Sequence, residues 1–249
     1  MKKVTQALIM AGGFGARLSQ SINPHSCKSL IVHNGQALIG HLIDHLHEAG
    51  IVDMVIATNT HSHDQIYQIA QSKGVDPNFV VEEDGNTYGK PEFAGVSYNL
   101  KHKLDERFLI VCGHHVVPKA HLEKMITSSE QYTTVATCYK SNTVLLQKTL
   151  VVEPDMKRTY VERSGFTQHL ARDEQYGSSD LYLRNPYVID KIVVDASYAD
   201  KHSKTFHEYI LTENKRRSLT SGLVLAHMPP EFDYDWEYAD SMSFLEGSM

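Results

Sequence analysis

Along the first 140 residues of this 249-residue chain, short apolar runs alternate with amphipathic stretches, and that alternation predicts a mainly parallel β-sheet with helices on both faces. Val4 to Met10, Ile51 to Ala57, Phe79 to Val81, Phe108 to Cys112 and Thr133 to Cys138 read as strands. Ala37 to Ala49 reads as a helix closing at Gly50, and His63 to Gln71 as one ending near Gly74; Glu92 to Leu104 and Lys119 to Ser128 read as two more. After Lys140 the pieces become shorter and richer in β character, with strands expected at Val144 to Val152, Thr159 to Val161, Leu181 to Leu183 and Leu223 to Ala226. Helices are expected from Lys204 to Lys215 and from near Trp236. No repeat, low-complexity tract or linker divides the chain. With 41% hydrophobic residues it can build one sizeable core. The expectation is a single Rossmann-like α/β domain, 1–249, in which 1–140 forms the first part and 141–249 a β-rich extension that completes the sheet.

In such sheets ligands bind beyond the carboxyl ends of the strands. Three segments fall there: Ala11 to Leu18, Glu82-Glu83-Asp84 and Gly113-His114-His115. The first holds three glycines in Ala11-Gly12-Gly13-Phe14-Gly15-Ala16-Arg17, directly after an apolar strand, which brings bare backbone amides within reach of a phosphate chain. Arg17 supplies a cationic fork, and Lys28 supplies a point charge. A glycine turn after a buried strand is the alternative. Two familiar glycine motifs do not fit. A dinucleotide fingerprint needs a third glycine where Leu18 stands, and a Walker loop needs its lysine inside the glycine loop, whereas Lys28 follows well after Gly15.

Composition narrows the classes further. The net charge is −6, and the compact basic run Lys215-Arg216-Arg217 sits at an expected helix end without a wider basic and aromatic face, which argues against nucleic acid as a partner. Cys27, Cys112 and Cys138 are odd in number and far apart, giving neither a disulfide framework nor a zinc knot, as expected of a cytoplasmic protein. No apolar segment is long enough to span a bilayer, and Gln6 interrupts the run that follows Lys2-Lys3. The fifteen histidines include His41 and His45, four apart on one helix face, which read as a solvated pair.

The opening resembles that of the nucleotidylyltransferases that activate sugar phosphates and related small phosphates, roughly (L/M)-A-(G/A)-G-x-G-(T/S)-R-L followed by P-K. Met10, Ala11, Gly12, Gly13, Gly15, Arg17, Leu18 and Lys28 carry the match, and Gly35-Gln36-Ala37-Leu38-Ile39 resembles the G-K-P-L-I that leads into that family's first helix. Ala16 replaces the usual Thr or Ser, and Cys27 the proline before the lysine. Farther on, Glu153 to Arg163 is similar to the family's hairpin ending in E-K, and Gly177 to Leu183 to its G-I-Y-x-F strand.

The resemblance implies the nucleotide-diphospho-sugar transferase fold, with 1–140 binding nucleotide and 141–249 binding the acceptor. It implies transfer of a nucleoside monophosphate from an NTP to a sugar 1-phosphate or similar small phosphate, with release of pyrophosphate. Arg17 would hold the departing pyrophosphate and Lys28 the α-phosphate and acceptor phosphate, while Ala11, Gly12, Gly13 and Gly89 would lie against the nucleotide. Glu162 and Arg163 would hold the acceptor's hydroxyls and phosphate. Mg²⁺, or Mn²⁺, would be bound by an acid at the end of the fourth strand and a second acid near the C-terminus, matched by Asp235.

At the first of these positions the chain has His114, and Mg²⁺ prefers oxygen to imidazole. Three outcomes stay open: Asp235, with Asp233, holds the metal through triphosphate oxygens; His114 and His115 favour an imidazole-tolerant ion; or catalysis is reduced or lost. The last gives the alternative reading, a catalytically silent nucleotide-binding homologue with a regulatory or assembly role. Oligomeric state, a homo-oligomer included, is open.

Overall fold

The computed structural model describes residues 3–13, 18, 20–21, 23–25, 27–76, 80–82, 92–129, 134–140, 148–152, 158–163, 166–172, 180–199 and 221–226; for 134–186 and 221–226 it is the backbone that is described. The expected helices at Lys204 to Lys215 and near Trp236 lie outside these residues.

Four parallel strands form the heart of the sheet. They are β1 (Gln6–Met10), β4 (Asp53–Thr58), β5 (Val80–Glu82) and β6 (Arg107–Cys112), in the spatial order β5-β4-β1-β6. The long strand β11 (Asp180–Asp190) pairs antiparallel with β6 through Tyr187 to Asp190, and its other edge pairs with β7 (Thr134–Lys140), which carries β12 (Ser221–Ala226) in parallel. On the β6 side, the first residues of β11 pair instead with β10 (Phe166–Arg172), which leads through β9 (Arg158–Arg163) to β8 (Lys148–Val152), all antiparallel. One strand therefore serves two neighbours along one edge. The β11–β7 register shifts between Arg184 and Tyr187, where Asn185 and Pro186 are the extra residues. Proline has no amide to give a ladder, so a bulge is where a sheet interior tolerates it.

Both faces of β1, β4 and β6 are buried, which is why these parallel strands read as continuous apolar runs. Ala7, Ile9, Met54, Ile56, Leu109 and Val111 point to one face and pack with α1 (Leu38–Glu48), α2 (His63–Ser72) and α4 (Lys119–Ser128). Leu8, Val55, Phe108, Ile110 and Tyr187 alternate to the other face, also fully buried. There α3 (Glu92–Leu100) and α5 (Lys191–Ala199) pack together, with Tyr98 stacked on Tyr198 at 3.7 Å and Lys101 bonded to Asp195 at 2.7 Å.

Helix α1 shows how sequence sets these elements. Leu38, Ile39, Leu42, Ile43 and Leu46 form one buried stripe, and the helix ends where Gly50, at φ +87°, donates to His47 while Ile51 donates to Leu46. Gly74, at φ +80°, closes α2 by the same pair of bonds, Gly74 to Gln71 and Val75 to Ala70. This is the Schellman arrangement, which satisfies the last carbonyls and favours glycine for its positive φ.

Several expectations change. The helix expected from Glu92 to Leu104 stops at Leu100, and Lys101–Lys103 tighten into a 3-10 turn. Gln36, expected in the lead into α1, and Ala37, expected as its first residue, form β3 (Gln36–Ala37), paired with β2 (Val32–His33) across Asn34-Gly35, both at positive φ. Strand β10 and helix α5 had no counterpart in the sequence reading. Among the described residues no helix is long and apolar enough to cross a membrane.

Candidate functional site

The order of the strands reverses at β1, which has β4 on one side and β6 on the other, so a crevice is expected beyond its carboxyl end. The chain continues straight into that crevice. Ala11 donates to the carbonyl of Ala57 at 2.7 Å, and Gly113, just past β6, donates to the carbonyl of Met10 at 2.9 Å. The next three carbonyls are all turned into the protein: that of Ala11 accepts from Cys27 Sγ at 3.3 Å, that of Gly12 from Asn59 Nδ2 at 2.8 Å, and that of Gly13 from the Lys28 amide at 3.1 Å. In a trans peptide the N–H opposes the C=O, so the Gly12 and Gly13 amides point the opposite way. No described residue accepts from either amide. A Cβ built on Gly13 meets nothing within 4 Å, so the space beside it is open to a ligand's approach.

Lys28 begins a 3-10 turn, Lys28–Leu30, after an extended Cys27 whose amide is held by Asn23 Oδ1 at 2.8 Å. Its neighbour Ser29 is buried against Gly113. A Cβ on Gly113 would lie 2.7 Å from Ser29 Oγ and 3.1 Å from Ala11 Cβ, so the glycine loop, the lysine turn and the end of β6 meet at a point that admits no side chain. His114 and His115 follow at once, their rings 4.5 Å apart and edge to face, with the His115 amide closing a turn onto Cys112.

The structure thus brings Ala11, Gly12, Gly13, Lys28 and His114 to the ends of two adjacent strands. Glu162 and Arg163 sit on β9, opposite Thr167 and Phe166 of β10. Arg17, Gly89 and Asp235 lie outside the described residues, as does Asp233. Sequence reasoning missed Asn59, Ser29 and the packing role of Gly113. The signal for Asn59 was its place: a buried polar residue immediately after a strand adjoining the first.

The histidines are less free than a solvated pair. His41 Nε2 bonds the His33 carbonyl and His45 Nδ1 the Val117 carbonyl, each at 2.9 Å. Nearby on α1, burial opposes ionisation of Asp44, but hydrogen bonds from Lys73 and Gln36 and the charges of Lys73 and His41 outweigh it and hold the carboxyl below its usual range. No three His, Cys, Asp or Glu side chains group as metal ligands among the described residues. The donors that end β6 are imidazoles, which do not by themselves suit Mg²⁺.

Residues 7–179 match the family described as MobA-like NTP transferase domain. The chain belongs to that family. A curated relative, the bifunctional IPC transferase and DIPP synthase of Aquifex aeolicus (strain VF5), is 28% identical over 123 residues, which take in 49% of this chain and 28% of that protein. This chain therefore aligns with well under half of that relative. Among solved structures, the inositol-1-phosphate CTP transferase from T. maritima superposes with a TM-score of 0.69 at 15% identity, covering 98% of this chain and 97% of the other. A UDP-glucose pyrophosphorylase bound to UDP-glucose superposes with a TM-score of 0.66 at 12% identity, covering 99% and 100%. These two share the fold. The nucleotide-diphospho-sugar transferase architecture that the family resemblance implied is the one this NTP transferase domain has.

Proposed function

We propose that this NTP transferase domain moves a nucleoside monophosphate from an NTP to a small phosphorylated acceptor, a sugar or polyol phosphate, and releases pyrophosphate. The observation that carries the reading is the set of three consecutive carbonyls at Ala11, Gly12 and Gly13, all bonded inward, which leaves two glycine amides for an anion beside Lys28. Such a loop neutralises phosphate charge with fixed dipoles and needs no reorganisation when the ligand arrives.

In the reaction an acceptor phosphate oxygen attacks the α-phosphorus in line, the bond to the bridging α–β oxygen breaks, and that oxygen leaves with pyrophosphate. Catalysis of this kind is chiefly positioning and charge neutralisation. Lys28, held to the loop through its own amide, is assigned to the α-phosphate and acceptor phosphate, and Arg17 to the leaving pyrophosphate. Gly89 is assigned to the nucleotide, Glu162 and Arg163 to the acceptor, and Asp235 with His114 to the divalent ion. In this division 1–140 binds the donor and 141–249 the acceptor, in a single cytoplasmic domain. Mg²⁺ or Mn²⁺, when bound, would supply further charge neutralisation.

The test is pyrophosphate release with ATP, CTP, GTP and UTP, each against a panel of sugar and polyol phosphates, in Mg²⁺ and in Mn²⁺. CTP is the first donor to try, since the T. maritima structure is named for it. Release with one donor and acceptor pair is expected, falling by about a hundredfold or more in Lys28→Ala, the scale for loss of one charge-stabilising group. A second reading has its own observation, the imidazole of His114 where the family has a metal-binding acid. Tight NTP binding with no pyrophosphate release under any of these conditions would establish that reading, a silent binding protein, in place of the enzyme.

A further inference from the structure

Asn59 follows β4 and is almost wholly buried, and both ends of its side-chain amide are in use. Oδ1 accepts from the amide and from the hydroxyl of Ser62, each at 2.9 Å, and Nδ2 donates to the Gly12 carbonyl at 2.8 Å. The assignment of oxygen and nitrogen is forced. A backbone N–H can only donate and a carbonyl can only accept, so Oδ1 must face Ser62 and Nδ2 must face Gly12.

The peptide held in this way joins two glycines. Neither flanking residue has a Cβ to resist rotation of the plane, so an unheld Gly12–Gly13 peptide could turn over. Turned over, it would present a carbonyl oxygen where it now presents the Gly13 N–H. A phosphate chain is attracted by the second and repelled by the first. Cys27 Sγ holds the preceding peptide by its Ala11 carbonyl, with the weaker donor of the two.

Building on the nucleotide reading above, we infer that Asn59 is a positioning residue: by gripping the Gly12 carbonyl it aims the Gly13 amide at the donor's phosphates and pre-organises the loop. Its anchor is Ser62, the residue at the N-cap of α2. The phosphate loop after β1 is thereby braced from the neighbouring strand and helix.

The test uses the full chain, labelled with ¹⁵N, and inorganic tripolyphosphate as a probe that carries a phosphate chain and no base. Asn59→Asp keeps the shape and still accepts from Ser62, but it exchanges the donor to Gly12 for a carboxylate oxygen. Ser62→Ala weakens the anchor and leaves the donor in place. Tripolyphosphate is expected to move the Gly12 and Gly13 amide resonances in the parent protein. Asn59→Asp is expected to weaken that binding by about tenfold or more, as loss of one hydrogen bond with an unfavourable oxygen in its place implies. Ser62→Ala should stay within about twofold of the parent, since its donor to Gly12 is intact.

Equal affinity in Asn59→Asp and the parent would overturn the inference, as would an unmoved Gly13 amide in the parent. A loss in Ser62→Ala as large as in Asn59→Asp would overturn it too, because the effect would then belong to the turn. If tripolyphosphate behaves as expected but none of the four NTPs binds more tightly than it does, the role of Asn59 in holding the anion loop stands and the nucleotide reading fails.

Discussion

Replacing Gly113 with alanine sets two effects of opposite sign against each other. Gly113 is outside the positive-φ region, so an alanine there has an allowed backbone, and the reduced entropy of the unfolded chain would by itself stabilise the protein by about 0.4–1 kcal/mol. Against this, the new methyl would stand 2.7 Å from Ser29 Oγ, 3.1 Å from Ala11 Cβ and 3.3 Å from Ala11 Cα, where ordinary contact begins at 3.4 Å. Ser29 can rotate its hydroxyl away at some cost in a buried site. Ala11 cannot move freely, because its amide is bonded to Ala57 and its carbonyl to Cys27. Relief must come from parting β1 and β6 at their carboxyl ends, where Gly113 donates to Met10.

Overpacking of this kind costs about 1–3 kcal/mol, which at the middle of both ranges leaves a net loss of about 1–2 kcal/mol. For a chain of this length that lowers the melting temperature by roughly 2–8 °C. Calorimetry on the parent and on Gly113→Ala measures it directly, and Ser29→Ala in the same background should recover part of the loss, with a coupling of about 1 kcal/mol. A melting temperature equal to the parent's, or higher, would show that the entropy effect dominates and that the crowding at this junction is illusory.

Three further outcomes are expected. Burial of the His121 ring, with Lys124 adding to the effect, pushes its pKa down to about 4, so the native ring stays neutral while the unfolded one takes a proton near 6.5. Between those values the unfolded state binds more protons. Stability is then intact above pH 6.5 and is lost as pH falls toward 4, so the drop in unfolding free energy between pH 7.5 and 5.5 should shrink by about 1 kcal/mol in His121→Gln. At the opposite end of the sheet, Arg107 forms a fork with Asp190 at 2.6 and 3.2 Å and also donates to the Ser129 carbonyl. Its side chain is 5% exposed against 25% for Asp190, so Asp190→Leu, which strands the deeper charge, should cost about 3–5 kcal/mol in urea unfolding and Arg107→Met less; the reverse order would refute the reasoning. Finally, His114→Asp should lower the Mg²⁺ concentration for half-maximal turnover by about tenfold, since a carboxylate suits that ion better than imidazole. An unchanged titration would mean that position 114 does not face the metal.

Much of the first 140 residues was legible because the signals there are local. The stripe of α1 and the glycines that close α1 and α2 are written in neighbouring residues, and α4 runs from Lys119 to Ser128 as the pattern predicted. Where tertiary packing overrides local preference, the sequence misleads. Ile192-Val193-Val194 has strand-like residues yet lies in α5, because Val193, Val194 and Ser197 can be buried together only on a helix. Strand β10 carries His169 and Arg172 among its apolar residues, and its pairing with β9 and β11 supplies what its composition does not. At the site, Gly12, Gly13 and Lys28 announce themselves by motif. Asn59 does not, since its meaning lies in a bond to a loop 47 residues earlier in the chain.

Strand β11 has a consequence for how this protein can be cut. It begins at residue 180, one position after the stretch that matches the family ends, yet it is flanked by β6 and β10 on one side and β7 on the other. A fragment stopped at that boundary would bare an edge on each of three strands at once, and unpaired strand edges invite association with other chains. The recognisable portion and the foldable portion are therefore different objects. Dissection of this domain has to follow hydrogen-bonding partners, because a strand that arrives late in the chain closes the middle of the sheet.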